Sequence, residues 1–300
     1  MNWGALVAVL LWGASFVAVK VALIELAPVH LVLLRVGLAA LALDVLLLRR
    51  DRRAEISDLT GRDWTWIGLL VLISVFPHQL AQVAGLQRTT AINGALLITL
   101  APLFMFGLSA VLFGEAVTHP KVLGFAVAIV GSTLVISRGN LATLNLDSQT
   151  LSGDLLVVVS AVGWALYSTL GKELLRRRPP LLIVTLALNL SLPILAVIAA
   201  LGAPGFVISV AAMSWRGWAA ALFLGWACSA LAYVLWYAAL QHQEMSRVSV
   251  LQYLQPLAAT GLGMLLLNES ITWATAIGGG MILGGVALVN RQSTTKPDRS

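Results

Sequence analysis

Long apolar runs, separated by short polar segments, divide the chain into ten predicted helices. Each run holds at least 17 residues, close to the roughly 20 mostly apolar residues that an α-helix needs to cross a bilayer. Apolar residues are continuous within the runs rather than alternating, so strands are not expected. The runs are Trp3–Leu26, Val29–Leu48, Trp64–Leu86, Ala91–Phe113, Pro120–Ile136, Asp154–Leu175, Pro180–Leu201, Trp218–Leu240, Val248–Leu267 and Trp273–Val289.

The composition supports a membrane location. Hydrophobic residues make up 59% of the chain and charged residues 11%, whereas soluble domains average about half and a quarter. No basic residue precedes the first run at Trp3, so we expect a first spanning helix and not a cleaved signal peptide. A single cysteine, Cys228, leaves no internal disulfide and no thiolate metal cluster to expect, and we predict that it is a small core residue.

The basic residues predict how the helices are oriented. If the N-terminus is cytoplasmic, fourteen of the 19 Lys and Arg residues fall in inner loops or the C-terminal tail, and only Arg88, Arg138 and Arg216 fall in outer loops. The positive-inside rule then places both termini in the cytoplasm. Because this topology accounts for the net charge of +6, no nucleic-acid partner is predicted.

Three charged residues lie inside predicted helices. We expect Lys20 and Arg35 to extend to the outer interface and Asp44 to reach the inner one, because long side chains near helix ends reach water in this way. For Lys20 the alternative is a contact with a substrate carboxylate at the outer gate. No acidic residue lies deep in the first helix, where Ser15 stands, and this argues against obligate export of organic cations.

A 46-residue stretch that begins at Leu86 occurs twice. A shift of 154 positions places Pro102 on Pro256 and Glu115 on Glu269, and 13 of the 46 positions are identical. Each half of the chain holds five helices, an odd number, so the second copy is inverted in the membrane. We therefore predict an all-α polytopic membrane protein with ten transmembrane helices as two five-helix inverted repeats. The predicted units are residues 1–138 for the first repeat, 139–153 for a linker, 154–291 for the second repeat and 292–300 for a cytoplasmic tail.

The repeated residues resemble the repeat unit of the EamA-type drug/metabolite transporter superfamily. The first copy has Gly114-Glu115, Thr118, Gly124 and Gly131 after Pro102, and the second has Asn268-Glu269, Thr272, Gly278 and Gly285 after Pro256. The second copy departs only by asparagine in place of the first glycine. The resemblance covers nearly the whole chain and implies a ten-helix carrier that works by alternating access. Within the superfamily the chain is most similar to bacterial exporters of aromatic and other amino acids, although no motif fixes the substrate.

We assign the acidic and hydroxyl residues of the motif to helix construction. Glu115 and Glu269 are expected to bind the N-terminal amides of the next helix, with Thr118 and Thr272 as N-caps. The alternative is that the two carboxylates couple transport to an ion. The four motif glycines are expected to permit close helix packing.

The two motif prolines are candidates for a gate or hinge. Pro102 and Pro256 lie in the middle of predicted helices, where proline removes a backbone hydrogen bond and bends the helix. Because both copies keep the proline, we predict a pivot or a broken helix beside the transport cavity. Helix packing alone is the alternative.

His78 is the first candidate for the substrate site. Inverted repeats place that site near the bilayer midplane, and His78 is the only histidine deep in a helix, on one face with Ser74 and Gln82. An ionisable group inside the membrane is a functional candidate. The alternative is a neutral histidine bonded to a neighbouring helix or to the carbonyl that Pro77 frees. We assign His78 and Gln82 to the site.

Aromatic and polar residues of four other helices complete the predicted site. Trp12 and Trp164 match each other at a shift of 152. Large rings more often serve packing, but hydroxyl and amide groups inside hydrocarbon need partners, and a cavity shared by both suits a flat apolar side chain. The remaining predicted substrate-binding residues are Trp12, Ser15, Trp164, Tyr167, Ser168, Tyr233, Trp236, Tyr237, Gln252 and Tyr253.

These features predict a secondary transporter of the bacterial inner membrane that exports small metabolites, with amino acids, and aromatic ones above all, as substrates. Its predicted partners are this small molecule and membrane lipid, and a monomer is compatible with the predicted mechanism. No cofactor or metal is expected, and the chain has no Gly-x-x-x-x-Gly-Lys run for direct ATP coupling. Export of other metabolites or drugs is the alternative. A channel, or a polytopic membrane enzyme for which no cluster of acid, base and nucleophile is visible, represents another class.

Overall fold

The computed structural model describes residues 3–47, 52–113, 118–140, 149–242, 248 and 250–293. Within these residues the chain is all helical, as predicted. Glu115, one of the two repeated glutamates, lies outside the described residues. The same is true of residues 141–148, in the predicted linker, and of residues 294–300 of the predicted tail.

The described helices form a polytopic membrane protein. Eight are long and apolar enough to cross a bilayer, and the two last are shorter apolar helices. Short helices at Arg52–Ser57 and Phe206–Ala211 lie between them. The helices are α1 (Trp3–Ala22), α2 (Pro28–Leu47), α3 (Gly61–Arg88), α4 (Ala91–Ile98 and Ala101–Phe113), α5 (His119–Ile136), α6 (Gln149–Leu175), α7 (Pro180–Gly202), α8 (Trp215–His242), α9 (Leu254–Leu267) and α10 (Trp273–Ser293).

Helix ends differ from the predicted ones where polar residues continue a helix beyond its apolar run. Helix α6 begins at Gln149 rather than at Asp154, so the last part of the predicted linker is helical. Helix α3 begins at Gly61, where Thr60 accepts a hydrogen bond from the Asp63 amide and Asp63 accepts one from the Thr60 amide. This capping box gives hydrogen-bond partners to amides at the helix start, and a prediction from hydropathy does not include that contribution. The division into two repeats stays a prediction.

Two helices widen into π-helical turns at Ser74–Leu80 of α3 and Phe223–Leu231 of α8. Pro77 lies inside the first turn and lacks the N–H of a regular helix. The wider turn changes the spacing of its side chains, so the Gln79 amide reaches the Ser74 hydroxyl at 2.9 Å. Such turns recur at functional sites, and these two flank the cavity described below.

Helices α4 and α9 are interrupted next to the repeated prolines. Helix α4 breaks between Ile98 and Ala101, and Pro102 stands in the first turn of its second segment. A 3₁₀ turn at Val250–Tyr253 precedes α9, and Pro256 stands in the first turn of that helix. Each proline therefore follows a break instead of lying in the middle of a continuous helix, which fits the predicted broken helix, and the role as a gate or hinge stays a prediction. Proline is tolerated in a first turn because no N–H is needed there.

The motif glycines allow α5 and α10 to touch along their lengths. A Cβ atom at Gly131 would lie 2.6 Å from the Gly278 carbonyl oxygen, and one at Gly278 would lie 2.6 Å from the Gly131 carbonyl oxygen. A Cβ atom at Gly285 would likewise meet the carbonyl oxygen of Gly124. The predicted packing role of these glycines is confirmed, since any larger residue would separate the two backbones.

Glu269 binds helix N-terminal amides, but not those of the next helix. Its carboxylate oxygens accept hydrogen bonds from the amides of Ala91 at 2.7 Å and Ile92 at 3.0 Å, at the start of α4. The prediction named the following helix, α10, where Thr272 alone caps the Thr275 amide at 3.1 Å. The correction matters because Glu269 thereby joins the two halves of the chain.

Candidate functional site

A cavity lies among seven helices, α1 to α4, α6, α8 and α9. It encloses about 400 Å³ of empty space, a figure that includes its opening. The prediction named six of these helices and omitted α2. The residues that line the cavity are Trp12, Ser15, Phe16, Arg35, His78, Gln82, Ile98, Trp164, Tyr233, Gln252 and Gln255.

His78 joins three helices at the edge of this cavity. Its Nδ1 atom lies 3.1 Å from the Ser160 hydroxyl in α6, and its Nε2 atom lies 3.2 Å from the Tyr233 hydroxyl in α8. A close approach of α6 makes this possible, because Gly163 has no side chain to strike the backbone at Pro77. The histidine is thus both bonded to neighbouring helices and part of the lining, while Ser74 is not in the lining.

Three aromatic rings from α1, α6 and α8 meet beside His78. The centroids of Trp12 and Trp164 are 5.0 Å apart, and those of Trp12 and Tyr233 are 5.6 Å apart, in edge-to-face arrangements. The Trp12 indole also donates to the Cys228 carbonyl at 3.0 Å, which fixes its orientation. Edge-to-face pairs of this kind hold one another in place, so the rings form a firm apolar wall.

Five of the predicted site residues lie outside the lining. Tyr167 stacks on Trp164 at 5.9 Å, and Trp236 packs against Trp12 at 5.4 Å, so both support rings that face the cavity. Tyr237 stacks on Tyr167 and donates its hydroxyl to the Tyr167 carbonyl. Ser168 and Tyr253 are also absent from the lining. Their assignment to substrate binding stays a prediction.

Polar groups with spare hydrogen-bonding capacity face the same space. The Ser15 hydroxyl donates to the Trp12 carbonyl at 2.6 Å, which leaves its oxygen able to accept. The Gln252 amide nitrogen is buried without a partner among the described residues. Gln82 and Gln255 add two further side-chain amides. A ligand could therefore be held by neutral donors and acceptors as well as by rings.

Arg35 is the functional candidate that sequence reasoning placed wrongly. The structure puts its side chain in the cavity lining, 3% exposed, and not at the outer interface. Its Nε atom donates to the Ser229 hydroxyl in α8 at 2.9 Å. The position of Arg35 along its helix could have indicated this, since Arg35 lies seven residues beyond Pro28, or about 10 Å along the helix axis. That distance is too great for easy extension to water.

Lys20 reaches the helix ends on the side that the basic loops predict to be the outer one. Its half-buried ammonium group donates to the carbonyls of Leu86 at 3.1 Å and Thr89 at 2.8 Å, at the end of α3. The Thr89 hydroxyl in turn binds the buried Asp154 carboxylate in α6. Helices α1, α3 and α6 are thereby joined at the end where Glu269 meets α4.

The lining combines aromatic rings with neutral polar groups and one charged side chain. Among the described residues, no group of three His, Cys, Asp or Glu side chains could hold a metal ion. The lining holds one charged side chain, Arg35, and no carboxylate. Rings, amides, hydroxyls, one imidazole and one guanidinium can together recognise a small molecule.

The chain is similar to known proteins in sequence and in fold. The model of the EamA-like transporter family matches residues 1–137 and 151–291. An uncharacterized transporter of Archaeoglobus fulgidus is 32% identical, over 93% of this chain and 93% of its own. A solved crystal structure that covers 98% of both chains superposes with a TM-score of 0.70 at 19% identity, and this likeness concerns the fold alone.

Two further relatives carry more specific names. A probable terminal-alkyne amino-acid exporter of Streptantibioticus cattleyicolor is 27% identical over 97% of this chain and 93% of its own. A probable amino-acid metabolite efflux pump of Salmonella typhimurium is 26% identical over 94% of this chain and 92% of its own.

Proposed function

The chain belongs to the EamA-like transporter family, and from that premise we propose that it exports amino acids or similar small metabolites, with aromatic amino acids as preferred substrates. The proposed mechanism is alternating access, in which the two repeats rock about the cavity. The proposed location is the bacterial inner membrane with both termini in the cytoplasm, as the basic loops predict.

The observation that carries this proposal is the combination of rings and polar groups around one cavity. Trp12, Trp164 and Tyr233 offer aromatic faces and edges within 6 Å of one another. His78 and Gln82 add hydrogen-bonding groups at the same level. A planar side chain would be packed by the rings, while the polar end of an amino acid would meet the polar groups.

The relatives support the same substrate class. Two of them are named as exporters of amino acids or their metabolites and align with most of this chain. At identities of 27% and 26%, these relatives support amino acids as the substrate class. They do not indicate which amino-acid side chain is preferred. The aromatic preference accordingly rests on the ring cluster alone.

Counterflow in proteoliposomes tests the proposal. Vesicles preloaded with unlabelled L-phenylalanine should accumulate labelled L-phenylalanine, and the uptake should saturate with concentration. His78→Ala and Trp164→Ala should each reduce it, because one removes a polar contact and the other removes one of the two indole rings of the lining. Unchanged flux in both variants would exclude this site.

The same assay separates the rival functions. A channel would equilibrate label without accumulation or saturation, and a membrane enzyme would release a chemically changed product. Comparison of phenylalanine with alanine and with a cationic drug then tests the substrate class. Preference for either competitor would favour export of other metabolites or drugs.

A further inference from the structure

Arg35 carries a buried positive charge that forms no ion pair with the part of the chain that the structure describes. Its Nη1 atom is buried without a hydrogen-bond partner, and the Ser229 hydroxyl at Nε is a neutral partner. None of the ion pairs among the described residues includes Arg35. A guanidinium group has five N–H donors, so much of its binding capacity is unused.

Such an arrangement is costly unless an anion joins it. A charged side chain within a membrane helix is costly, and buried charges are normally paired. Arg35 is one of the residues that line the cavity, so a ligand in the cavity would lie next to its side chain. The missing partner can therefore come from a bound molecule.

The rest of the lining is complementary to a carboxylate. It contains no acidic side chain that would compete for Arg35, and the neighbouring groups His78, Tyr233 and Gln82 can share a polar ligand. The planar fork of arginine matches the two oxygens of a carboxylate, which lysine does not do. The Ser229 hydroxyl accepts the hydrogen bond from Nε, and Nη1 has no partner among the described residues.

We infer that Arg35 binds the carboxylate of the transported molecule, and that the ring of an aromatic amino acid then lies against Trp12 and Trp164. This inference rests on the proposed function and adds a residue to it. Helix α2 thereby becomes part of the substrate site, and Ser229 becomes a positioning residue that acts through Arg35. The substrate class is narrowed to compounds with a free carboxylate.

Calorimetric titration of the purified full-length protein tests the inference with three ligands. L-phenylalanine has both charged groups, L-phenylalaninamide lacks the carboxylate, and 3-phenylpropionate lacks the ammonium group. Wild-type protein should bind the amide about 10- to 100-fold more weakly than phenylalanine, the effect of losing a charge-assisted hydrogen-bonded pair. Arg35→Gln should weaken phenylalanine binding by a similar factor and leave binding of the amide nearly unchanged.

Variants control for loss of folding. Arg35→Lys keeps the charge without the fork and should bind phenylalanine with intermediate affinity, and Ser229→Ala should show a smaller loss than Arg35→Gln. If Arg35→Gln does not fold, the affinities of wild-type protein for phenylalanine and for its amide still show whether the carboxylate is bound. Equal affinity of wild-type protein for phenylalanine and its amide would overturn the inference.

The ligands also separate this inference from the proposed function. Binding of 3-phenylpropionate that depends on Arg35, without binding of any amino acid, would reject amino-acid transport and keep the carboxylate site. Binding of phenylalanine that does not change in Arg35→Gln would keep the proposed function and reject the role of Arg35. No binding of any of the three compounds would reject both.

Discussion

The Oε1 atom of Glu269 lies 2.7 Å from the backbone nitrogen of Ala91, so the carboxylate that follows α9 caps the start of α4. The two helices belong to different halves of the chain. Lys20 joins α1 to the end of α3 on the same side. Separation of the halves on this side would have to break the bonds between Glu269 and α4, whereas the Lys20 bonds lie within the first half. They lie on the face that the basic loops predict to be the outer one.

We expect Glu269→Gln to destabilise the protein by about 1–2 kcal/mol. The glutamine can accept one amide hydrogen bond, but it lacks the negative charge that a helix N-terminus favours. Thermal unfolding of the detergent-purified protein measures the change. Glu173→Gln is the matched control, because Glu173 pairs with Arg176 and Arg177 at the surface and its loss should change stability by less than about 0.5 kcal/mol. Equal effects would contradict the assigned role of Glu269.

Gly163→Ala should disturb the site through the backbone. The added Cβ would lie 2.7 Å from the Pro77 carbonyl carbon and 2.8 Å from the His78 nitrogen, closer than such atoms can approach. Helices α3 and α6 would separate, with a cost of about 1–3 kcal/mol and weaker binding at His78. Gly280→Ala is the control, since nothing lies within 4 Å of its Cβ. The prediction fails if the two variants melt at the same temperature and transport equally.

The helices, but not the contacts between them, could be predicted from the sequence. Hydropathy finds every spanning segment because a bilayer requires about 20 apolar residues. It does not show which helix a given side chain faces. Glu269 illustrates this, because spacing along the chain indicated the next helix and the fold brings α4 closer. The prolines illustrate it again, since each follows a break that hydropathy reads as continuous helix.

The site could be predicted where the repeat marked it. Trp12 and Trp164 occupy matching positions, and their rings meet in the structure. Arg35 has no counterpart in the repeat and was assigned by charge alone, so its position inside the cavity was missed. Trp226 is the converse case, because it lies deep in a helix yet is 51% exposed. In both cases the rotation of the helix about its own axis decides whether the side chain faces the cavity, and packing against neighbouring helices sets that rotation.

Tyr233→Phe and Tyr237→Phe should have different effects. The first removes the hydroxyl that lies 3.2 Å from His78 in the lining, and the second removes one bound to the Tyr167 carbonyl behind it. A neutral hydrogen bond contributes about 1 kcal/mol, so Tyr233→Phe should weaken substrate binding about fivefold. Tyr237→Phe should instead lower thermal stability. Binding affinity and melting temperature, measured for both variants, decide whether Tyr237 belongs to the substrate site.

Glu25 should make stability depend on pH. The hydroxyl and then the amide of Ser214 donate to its carboxylate at 2.5 and 2.6 Å, and they hold the pKa of Glu25 below its ordinary 4.5. A pKa that is lower in the folded state stabilises the fold above the unfolded pKa, and this contribution disappears as pH falls through the folded-state value. Glu25→Gln should therefore lower the melting temperature at pH 7.

This difference between wild-type protein and Glu25→Gln should shrink below pH 4.5. Protonated glutamic acid then resembles glutamine. Ser214→Ala should also lower the melting temperature at pH 7, since it removes the hydroxyl donor to Glu25 and the N-cap acceptor for the Gly217 amide. A gap that stays constant from neutral to acidic pH would show that Glu25 acts by some means other than its charge.

The prolines beside the two breaks should control the rate of transport rather than binding. Alanine at Pro102 or Pro256 restores an N–H, which allows the helix to extend back through the break and stiffens it. Stabilising one conformation by about 1 kcal/mol changes its population about fivefold, so counterflow should slow by a comparable factor while substrate affinity stays near that of wild-type protein.

Pro193→Ala is the matched control for these variants. Pro193 lies inside α7 with its side chain exposed, away from both broken helices. Its replacement also restores an N–H to a helix, so any general effect of removing proline from a membrane helix should appear there as well. Slower counterflow in Pro102→Ala and Pro256→Ala alone would identify the breaks as hinges. Equal rates in all three variants would leave the prolines with a packing role only.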